Sequence, residues 1–500
     1  DVLELRSLDS GSNFFEAGGD SVSAAQVIAR ASRELGKEIP LHLLFDNPTV
    51  ARFATALASI DAGLDKKPVL RRLGLKEAAL SLSQQRLWID EQLRAGQTVY
   101  NISMGLSMSG DLDVPALQSS LNEIVRRHES LRTRFISDDG EPRQVIVPHL
   151  RLDVSLLDLS SPEQEDVAAR LRELLRAEAA KPFNLEETPL VRATLVRLGA
   201  RSHVLVLIAH HMVCDGWSAA VMLRELSKLY AALAQGRPSP LEELPVQYAD
   251  FAVWQRELLQ GEVLEALLGY WRKQLAGVPY HLQLPADHPR PVVNLHRGAR
   301  SPLHLNAELS QRLAALGRQE DATLFMTLAA LFQILLARYS GQQEFLLGCP
   351  VANRSEVETQ GLIGFLVNTV VLHCDLREDP AFRPLLRRVR EKVLEAHKHQ
   401  DLPFEKLVEE LQPEREPGST PLFQVMLLLR QAEPVIEVEG LRLEPLKVET
   451  DVAMYDLTLE LTETAEGLRG GFEYNVDLFD AATIERFADQ FLKVGLAVFE

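Results

Sequence analysis

The chain has 500 residues, of which 46% are hydrophobic and 25% are charged, and its formal net charge is −18. The length predicts two to four compact domains, and the composition is typical of a globular protein. The negative net charge argues against nucleic acids and anionic membranes as partners, because binding to either requires clustered Lys and Arg. No apolar run reaches the length of a transmembrane helix, and no signal peptide is evident.

The cysteine pattern indicates the cellular compartment. Cys214, Cys349 and Cys374 are spaced for neither a zinc site nor a disulfide framework, which favours a reducing cytoplasm and predicts no metal site. The chain begins at Asp1 without Met, and its first helical pattern looks shortened. We therefore expect it to be part of a longer polypeptide.

The first 60 residues have helical patterns and no strand-like alternation. A Gly pair precedes Asp20 and Ser21, which open an apolar-periodic helix that runs to about Leu35. Two shorter helices follow Pro40 and Pro48. A phosphate ester on Ser21 would face the free N–H groups and the positive end of the helix dipole. The simpler alternative is an ordinary Ser/Asp N-cap.

From residue 61 to about 77 there is no clear period, and Gly, Pro and charges predict a linker. Beyond it, helical and strand-like patterns alternate. The predicted helices are 117–126, 163–180 and 324–339, and the predicted strands are 144–147, 191–198, 204–209, 344–347, 370–374 and 425–429. Periodicity alone predicts only a large α/β fold.

The most informative segment follows the predicted buried strand 204–209. His210 and His211 come directly after this strand, and Asp215 and Gly216 precede the next predicted helix. A strand end next to a turn is a common position for functional side chains. Histidine is the side chain best suited to move protons near neutral pH. The alternative is a pair of buried histidines that hydrogen-bond to nearby backbone.

Both segments resemble a known family. Residues 1 to about 60 resemble a peptidyl carrier domain of a nonribosomal peptide synthetase, whose motif is present as Gly18-Gly19-Asp20-Ser21. Residues from about 78 to 500 resemble the condensation domain of the same synthetases, with the family motifs in order. These motifs are Ser81–Trp88, Arg127–Phe135, His210–Ser218, Tyr248–Trp254, Ile363–Thr369, His399–Glu405 and, loosely matched, Pro421–Gln424.

The resemblance implies a small all-α carrier bundle at 1–60, a linker at 61–77 and a large α/β condensation domain. That domain is expected to consist of two chloramphenicol-acetyltransferase-like halves in a V-shape, at 78–260 and 261–500. The active site is expected in the tunnel between the halves.

The implied reaction is amide formation, in which the amine of an acceptor aminoacyl thioester attacks the thioester carbonyl of a donor. The implied cofactor is 4′-phosphopantetheine, attached covalently to Ser21 by a phosphopantetheinyl transferase. Because the carrier precedes the condensation domain, it is expected to be the donor carrier. A downstream acceptor carrier and the adenylation domains that load both carriers are the further implied partners, and the chain itself is expected to be a monomer.

The resemblance also assigns roles within the histidine motif. His211 occupies the catalytic position, either as a base or as a group that positions the amine. His210 is expected to hold the turn, and Asp215 to pair with a buried arginine. Gly216 permits close approach of the backbone, and its N–H is a candidate oxyanion donor. Cys214 is expected to point into the core rather than act as a nucleophile.

Other motif residues have two open interpretations. The arginine that pairs with Asp215 is either Arg132 or Arg354. Trp217 either lines the tunnel or packs in the core. Asn368 and Thr369 either line the junction of the halves or have capping roles. We expect structural roles for His128 and His399.

Two other members of the same superfamily remain as alternatives. An epimerisation domain shares the histidine motif but forms no bond, and Ser83-Gln84-Gln85 favours condensation over it. A non-catalytic domain that recruits tailoring enzymes would have a degraded histidine motif, whereas this one is intact. A heterocyclisation domain would replace the histidines by aspartates. Within condensation subtypes, the motifs favour an L-configured or achiral donor.

Overall fold

The N-terminal region is a small helical bundle. A computed structural model describes residues 9–19, 21–37, 39–40, 42–58, 68–93, 96–138, 140–160, 166–414 and 416–499. The bundle consists of α1 (Ser21–Leu35), α2 (His42–Asp46) and α3 (Val50–Ala58). Ala24 and Ile28, one turn apart on α1, are buried with Phe14 and Phe45. Burial of this apolar face stabilises the bundle, as the helical patterns predict. Asp20 lies outside the described residues.

The larger part of the chain begins with a set of elements whose strands belong to two different sheets. Its strands are β1 (Glu77–Ala79), β2 (Asn101–Gly110), β3 (Thr133–Asp138), β4 (Glu141–Ile146), β5 (Val154–Asp158), β6 (Val191–Gly199) and β7 (Ser202–His210). Its helices are α4 (Leu82–Leu93), α5 (Val114–Arg127), α6 (Val167–Ala179), α7 (Gly216–Leu233) and α8 (Tyr248–Leu258). The helix predicted from residue 163 begins at Val167, and residues 161–165 lie outside the described part.

A second set of elements follows. Its strands are β8 (Gly298–Asn306), β9 (Glu344–Val351), β10 (Asn368–Asp375), β11 (Val425–Gln431), β12 (Ile436–Val438), β13 (Leu441–Leu446), β14 (Leu457–Thr464) and β15 (Gly467–Asn475). Its helices are α9 (Gly261–Gln274), α10 (Ala307–Gln319), α11 (Leu324–Ser340), α12 (Phe382–Lys398), α13 (Phe404–Leu411) and α14 (Ala481–Ala497). The elements predicted at 324–339, 344–347, 370–374 and 425–429 are all present.

Strands β1, β4 and β3 form a small sheet in that order, and the remaining strands form two six-stranded sheets. One has the order β12-β13-β2-β7-β6-β5 and the other the order β10-β9-β11-β14-β15-β8. After β11 the chain leaves the second sheet, adds β12 and β13 to the first, and returns as β14. The two halves are therefore interlocked, which the sequence did not indicate. The domain boundaries at 1–60, 61–77, 78–260 and 261–500 stay a prediction.

Strand β7 positions the histidine motif. It pairs with β2 on one side and β6 on the other, and residues 204–209 are buried throughout. A strand buried on both faces has a continuous apolar sequence rather than an alternating one. The rigid central strand therefore carries the motif to the edge of the sheet.

The end of the predicted linker packs against the first half. Residues 61–67 lie outside the described part, but Leu70 is buried. Arg72 forms ion pairs with Glu129 and Asp250 at 2.7 and 3.2 Å. Within the described ranges, no single helix has the length and apolar composition needed to cross a membrane, whereas the bent pair α10 and α11 passes that test by length and composition only.

Candidate active site

The histidine motif forms a tight turn between β7 and α7. His210 is the last residue of β7, and Gly216 is the first residue of α7. Asp215 is the N-cap of α7, and its Oδ1 accepts the Ser218 N–H at 2.8 Å and the Ser218 hydroxyl at 2.7 Å. This capping satisfies donors that the first helical turn would otherwise leave unpaired. The spacing of the motif is thus set by a strand end and a capped helix start.

His210 is held on both ring nitrogens. Its Nδ1 accepts the Met212 N–H at 3.2 Å, and its Nε2 lies 3.3 Å from Glu91 Oε1. The ring is buried, with Tyr100 and Phe183 packed edge-on against it. Both ring nitrogens of His210 are therefore engaged within the protein, and its role in holding the turn stays a prediction.

His211 has a different environment. Its backbone N–H donates to the Tyr100 carbonyl at 2.8 Å, and its ring packs edge-on against Phe365 with centroids 4.6 Å apart. Its Nδ1 is buried without a hydrogen bond of normal geometry, and the ring also interacts with the backbone of His211 and Cys214. Burial lowers the pKa of the imidazole, against the opposing effect of the Asp215 charge. The ring is therefore neutral near pH 7.

Asp215 is paired with Arg354, one of the two arginines that the sequence offered. Arg354 Nη2 lies 3.1 Å from each oxygen of Asp215, and the two side chains are 2% and 0% exposed. Burial opposes ionisation of Asp215, but the Arg354 charge and the hydrogen bonds from Ser218 outweigh it, so that the pKa of the carboxyl lies below its usual range. The other candidate, Arg132, pairs with Glu129 instead.

The same ion pair joins distant segments. Asp215 Oδ2 accepts the backbone N–H groups of Leu366 and Val367 at 3.0 and 3.1 Å. Arg354 Nη1 donates to the carbonyls of Thr359 and Leu362 at 2.6 and 2.7 Å. The pair therefore fixes the segment that precedes β10 against the start of α7.

A cavity of about 1190 Å³ lies between the helical bundle and the larger part of the chain. Gly18 and Gly19 line it on one side, and Trp217 and Arg430 line it on the other. His211 is not among the lining residues, but Gly216, next to Trp217, is exposed. The indole N–H of Trp217 donates to the Gln360 carbonyl at 3.0 Å. Trp217 thus lines this cavity and also packs against the apolar core of the first half.

Two ion pairs hold the bundle beside this cavity. Arg33 lies 3.6 Å from Glu358, and Arg390 lies 2.7 Å from Asp46. Ser21 is the first residue of α1, and its side chain lies outside the described part of the structure. The Gly pair that precedes it nevertheless places the start of α1 at the cavity.

The remaining predicted residues have structural environments. Cys214 is fully buried, and burial raises the pKa of its thiol to about 12, which agrees with a core position rather than a nucleophile. His128 Nε2 lies 3.0 Å from Glu225 Oε2, and its Nδ1 accepts the Ile363 N–H at 3.2 Å. The ring of His399 stacks on Tyr270.

Asn368 connects two motifs. Its Nδ2 donates to the carbonyls of Gln400 and Leu402 at 2.7 and 2.8 Å, and its Oδ1 accepts the N–H groups of Phe404 and Thr369 at 3.0 and 2.8 Å. This favours the capping interpretation of Asn368 over tunnel lining.

Sequence reasoning did not identify Glu91, Glu225 or Arg430 as members of the site, and it placed Phe365 in a family motif without predicting its contact with His211. Glu91, Phe365 and Arg430 lie far along the chain from the histidine motif, and Glu225 contacts His128, 97 residues earlier, so no local spacing indicated these contacts. Within the described ranges one group could offer three ligand atoms to a metal, Glu344, His373 and Asp375. Arg377 already pairs with both carboxylates at 3.3 and 2.7 Å.

Comparison with protein families identifies the fold. Residues 75–500 match the family described as condensation domain, and residues 1–57 match the phosphopantetheine attachment site. The chain belongs to the condensation-domain family. It contains a helical carrier region with a phosphopantetheine attachment site, followed by a condensation domain with two chloramphenicol-acetyltransferase-like halves. Condensation domains are the peptide-bond-forming domains of nonribosomal peptide synthetases.

Individual relatives are all much longer than this chain. A linear gramicidin synthase polypeptide of Brevibacillus parabrevis is 44% identical over 503 residues, which cover 99% of this chain and 6% of the relative. Malpinin synthetase of Mortierella alpina is 39% identical over 492 residues, which cover 97% of this chain and 6% of that synthetase. The condensation-domain chain thus spans less than a tenth of the length of either synthetase.

Solved structures show the same architecture. The X-domain from teicoplanin biosynthesis aligns with a TM-score of 0.78 at 29% identity, over 86% of this chain and 97% of that one. The first condensation domain of the calcium-dependent antibiotic synthetase, solved in complex with a substrate analogue, aligns with a TM-score of 0.73 at 22% identity. The alignment covers 84% of this chain and 96% of that one. The latter likeness supports the fold alone.

Proposed function

We propose that the carrier region presents a donor acyl or peptidyl group to the condensation domain, which joins it to the amine of an aminoacyl group on a downstream acceptor carrier. A C–N bond forms at the donor carbonyl, the C–S bond breaks, and the sulfur leaves as a thiol. The observation that carries this proposal is the position of the His211 imidazole, which follows β7 directly in an intact histidine motif and has a pKa lowered by burial.

Ser21 is the proposed attachment residue for 4′-phosphopantetheine. When bound, this group supplies a thiol that holds the acyl group as an activated thioester. Ser21 begins a helix of 15 residues with no acidic residue in its first turn, so the helix dipole favours a phosphate there. Gly18, at φ +97°, would have nothing within 4 Å of an added Cβ, and it lines the cavity. The segment that precedes Ser21 therefore borders open space at Gly18.

His211 is the proposed catalytic residue. Because its imidazole is buried and neutral, it can accept a hydrogen bond or a proton from the attacking amine. As a base it would contribute about 10²–10⁴ to the rate. As a positioning group it would act through orientation, which accounts for the larger part of acceleration between two tethered reactants. Both roles require the ring to be held still, and its contacts with Phe365 and the Tyr100 backbone do this.

Asp215 and Arg354 are proposed to position His211 without touching substrate. Their charges are buried and satisfied by each other and by backbone groups, so no lone pair remains for a reactant. Their contribution is to hold the turn between β7 and α7, and with it the exposed Gly216.

The experiment is a single-turnover transfer. The full chain is loaded on Ser21 by a phosphopantetheinyl transferase with an acyl-coenzyme A, and a soluble aminoacyl thioester serves as acceptor. We expect a new amide from wild type and a strongly reduced rate from His211→Ala. The matched control is His304→Ala, an exposed histidine on β8. Equal rates for wild type and His211→Ala would refute the catalytic assignment.

A recruitment domain is the second candidate function, because the X-domain of teicoplanin biosynthesis aligns well and that protein is also solved in complex with OxyB. The same experiment separates the candidates. A recruitment domain would give no amide, and an epimerisation domain would return an inverted stereocentre on the loaded residue. Loading with L- and D-configured donors in turn tests the predicted preference for an L-configured or achiral donor.

A further inference from the structure

A half-exposed arginine on β11 faces the histidine-motif turn. The side chain of Arg430 is 50% exposed and lines the cavity that begins at Gly18 and Gly19 of the carrier. Its Nη1 lies 3.7 Å from the position that a Cβ on Gly216 would occupy. A guanidinium group thus lies close to the first residue of α7, on the side of the cavity opposite the carrier glycines.

Only part of this guanidinium is engaged by the protein. Its Nε lies 3.0 Å from Glu460 Oε1. Among the described residues Arg430 forms an ion pair with Glu460 alone, although the more distant Glu433 also lies within electrostatic reach. A guanidinium has five N–H donors in a planar fork. The ion pair with Glu460 involves Nε and leaves both terminal nitrogens available to a ligand.

Glu460 does not neutralise Arg430 fully, because three cations share it. Lys447 Nζ lies 3.0 Å from Glu460 Oε2, and Arg300 also hydrogen-bonds this carboxylate. One carboxylate balances one of the three charges. The neighbouring Glu473 adds little negative charge, because burial and the Glu460 charge raise the pKa of its carboxyl to about 7.

The cluster lies on the face of the second sheet that is turned away from its helices. Along β14, Leu457, Leu459 and Leu461 are buried in the main apolar core. Glu460 alternates with them and therefore projects from the opposite face. Three cations around one ionised carboxylate leave an excess of positive charge at this place, which favours a negatively charged partner.

We propose that Arg430 binds a carboxylate on the side chain of the donor acyl group, so that this condensation domain favours an acidic donor residue. This inference rests on the proposed function. The donor side is assigned because the same cavity is lined by carrier residues and by Arg430. An arginine fork matches a carboxylate in two parallel hydrogen bonds. A neutral amide of the same shape would lose the charge–charge part of that interaction.

The test compares two donors that differ only in charge. The full chain is loaded on Ser21 with N-acetylglutamyl or N-acetylglutaminyl groups from the coenzyme A thioesters, and transfer to a soluble glycyl thioester is followed in single turnover. We expect the glutamyl donor to react about tenfold to a hundredfold faster in wild type, the range for a hydrogen bond to a charged group. Arg430→Gln should bring this ratio close to one.

Arg442→Gln is the matched control. Arg442 is also half-exposed and paired with carboxylates, but it lies on β13 and does not line the cavity. Its variant should keep the wild-type ratio. A wild-type ratio near one, or a ratio unchanged in Arg430→Gln, overturns the proposal. If Arg430 instead bound the phosphate of the carrier arm, Arg430→Gln would slow both donors equally, which also overturns it.

A binding measurement separates this proposal from the proposed reaction. Pantetheine amides of N-acetylglutamate and N-acetylglutamine are titrated calorimetrically into the Ser21→Ala protein, in which the carrier cannot be loaded. Tighter binding of the glutamate amide, lost in Arg430→Gln, supports the acidic donor site even if neither donor is transferred and the proposed reaction fails. Equal affinities for the two amides overturn the donor site irrespective of turnover.

Discussion

Removing the Asp215 carboxylate should destabilise the condensation domain more than any other single change in the histidine motif. In Asp215→Ala the side chain of Arg354, which is only 2% exposed, keeps its charge but loses its partner. The helix cap at Ser218 and the acceptor for the N–H groups of Leu366 and Val367 are lost with it. The perturbation therefore breaks one ion pair, one helix cap and one link between segments.

The magnitude follows from these contacts. Removing one partner of a buried ion pair costs about 3–5 kcal/mol, because an uncompensated charge stays buried. Against a typical stability of about 5–15 kcal/mol, this is a third or more of the total. Arg354→Ala should cost less, because the carboxylate of Asp215 keeps the donors from Ser218, Leu366 and Val367. The double variant should cost less than the sum of the two single variants, since neither charge is then left unpaired.

The assay is chemical denaturation of the full chain, together with single-turnover transfer. Arg151→Ala is the control, since its partner Asp153 and Arg151 itself are both more than three-quarters exposed. That variant should unfold like wild type, because such surface pairs contribute little. If Asp215→Ala were as stable as wild type and yet inactive, Asp215 would act directly on substrate, and the positioning role argued here would be wrong.

Three further predictions concern loading, turnover and pH. Ser21→Ala should gain no mass on treatment with a phosphopantetheinyl transferase and coenzyme A while unfolding like wild type, and a mass gain would place the attachment site elsewhere. His211→Ala should lower the single-turnover rate by about 10²–10⁴ if the ring acts as a base, with loading of Ser21 intact; a loss that shrinks with more nucleophilic acceptors would indicate positioning instead. Because the folded-state pKa of Glu473 is raised to about 7, its contribution to stability should decline as the pH rises from about 4.5 to 7, and Glu473→Gln should flatten this part of the curve. The test is to measure denaturation midpoints across this pH range for wild type, Glu473→Gln and, as a control, Glu466→Gln, which changes an exposed residue. If the midpoint of Glu473→Gln fell with pH as steeply as that of wild type, the prediction would be wrong.

The turn that carries the histidines could be predicted from the sequence because all of its determinants are local. A continuous apolar run predicts the buried strand β7, and Gly216 with an apolar period predicts the start of α7. Asp215 was expected to pair with an arginine, and the sequence narrowed the choice to Arg132 or Arg354. Only the three-dimensional positions of the segments that carry these arginines decide between them, since Arg354 contacts Asp215 whereas Arg132 contacts Glu129.

Features formed by distant segments could not be predicted in this way. Strands β12 and β13 have patterns typical of any short strand, and nothing in them indicates that they join the first sheet rather than the second. Arg430 lies on an apolar strand 214 residues after Gly216, and no period connects the two positions. The same holds for Glu91, which engages His210, and for Glu225, which engages His128. Contacts of this kind depend on the packing of whole elements, which hydrophobic periodicity does not encode.

The structure also explains why so many motif residues surround so few candidate catalytic atoms. Asp215 binds the backbone at Leu366 and Val367, and Asn368, the next residue, binds the segment that leads into Phe404. These links join α7 of the first half, β10 of the second half and the start of α13 into one connected network. His211 depends on this network for its position, because the turn that carries it has Asp215 at its end. Substitutions in the network should therefore lower stability and turnover together, whereas His211→Ala should lower turnover alone, and this difference distinguishes the residues that hold the site from the residue that acts in it.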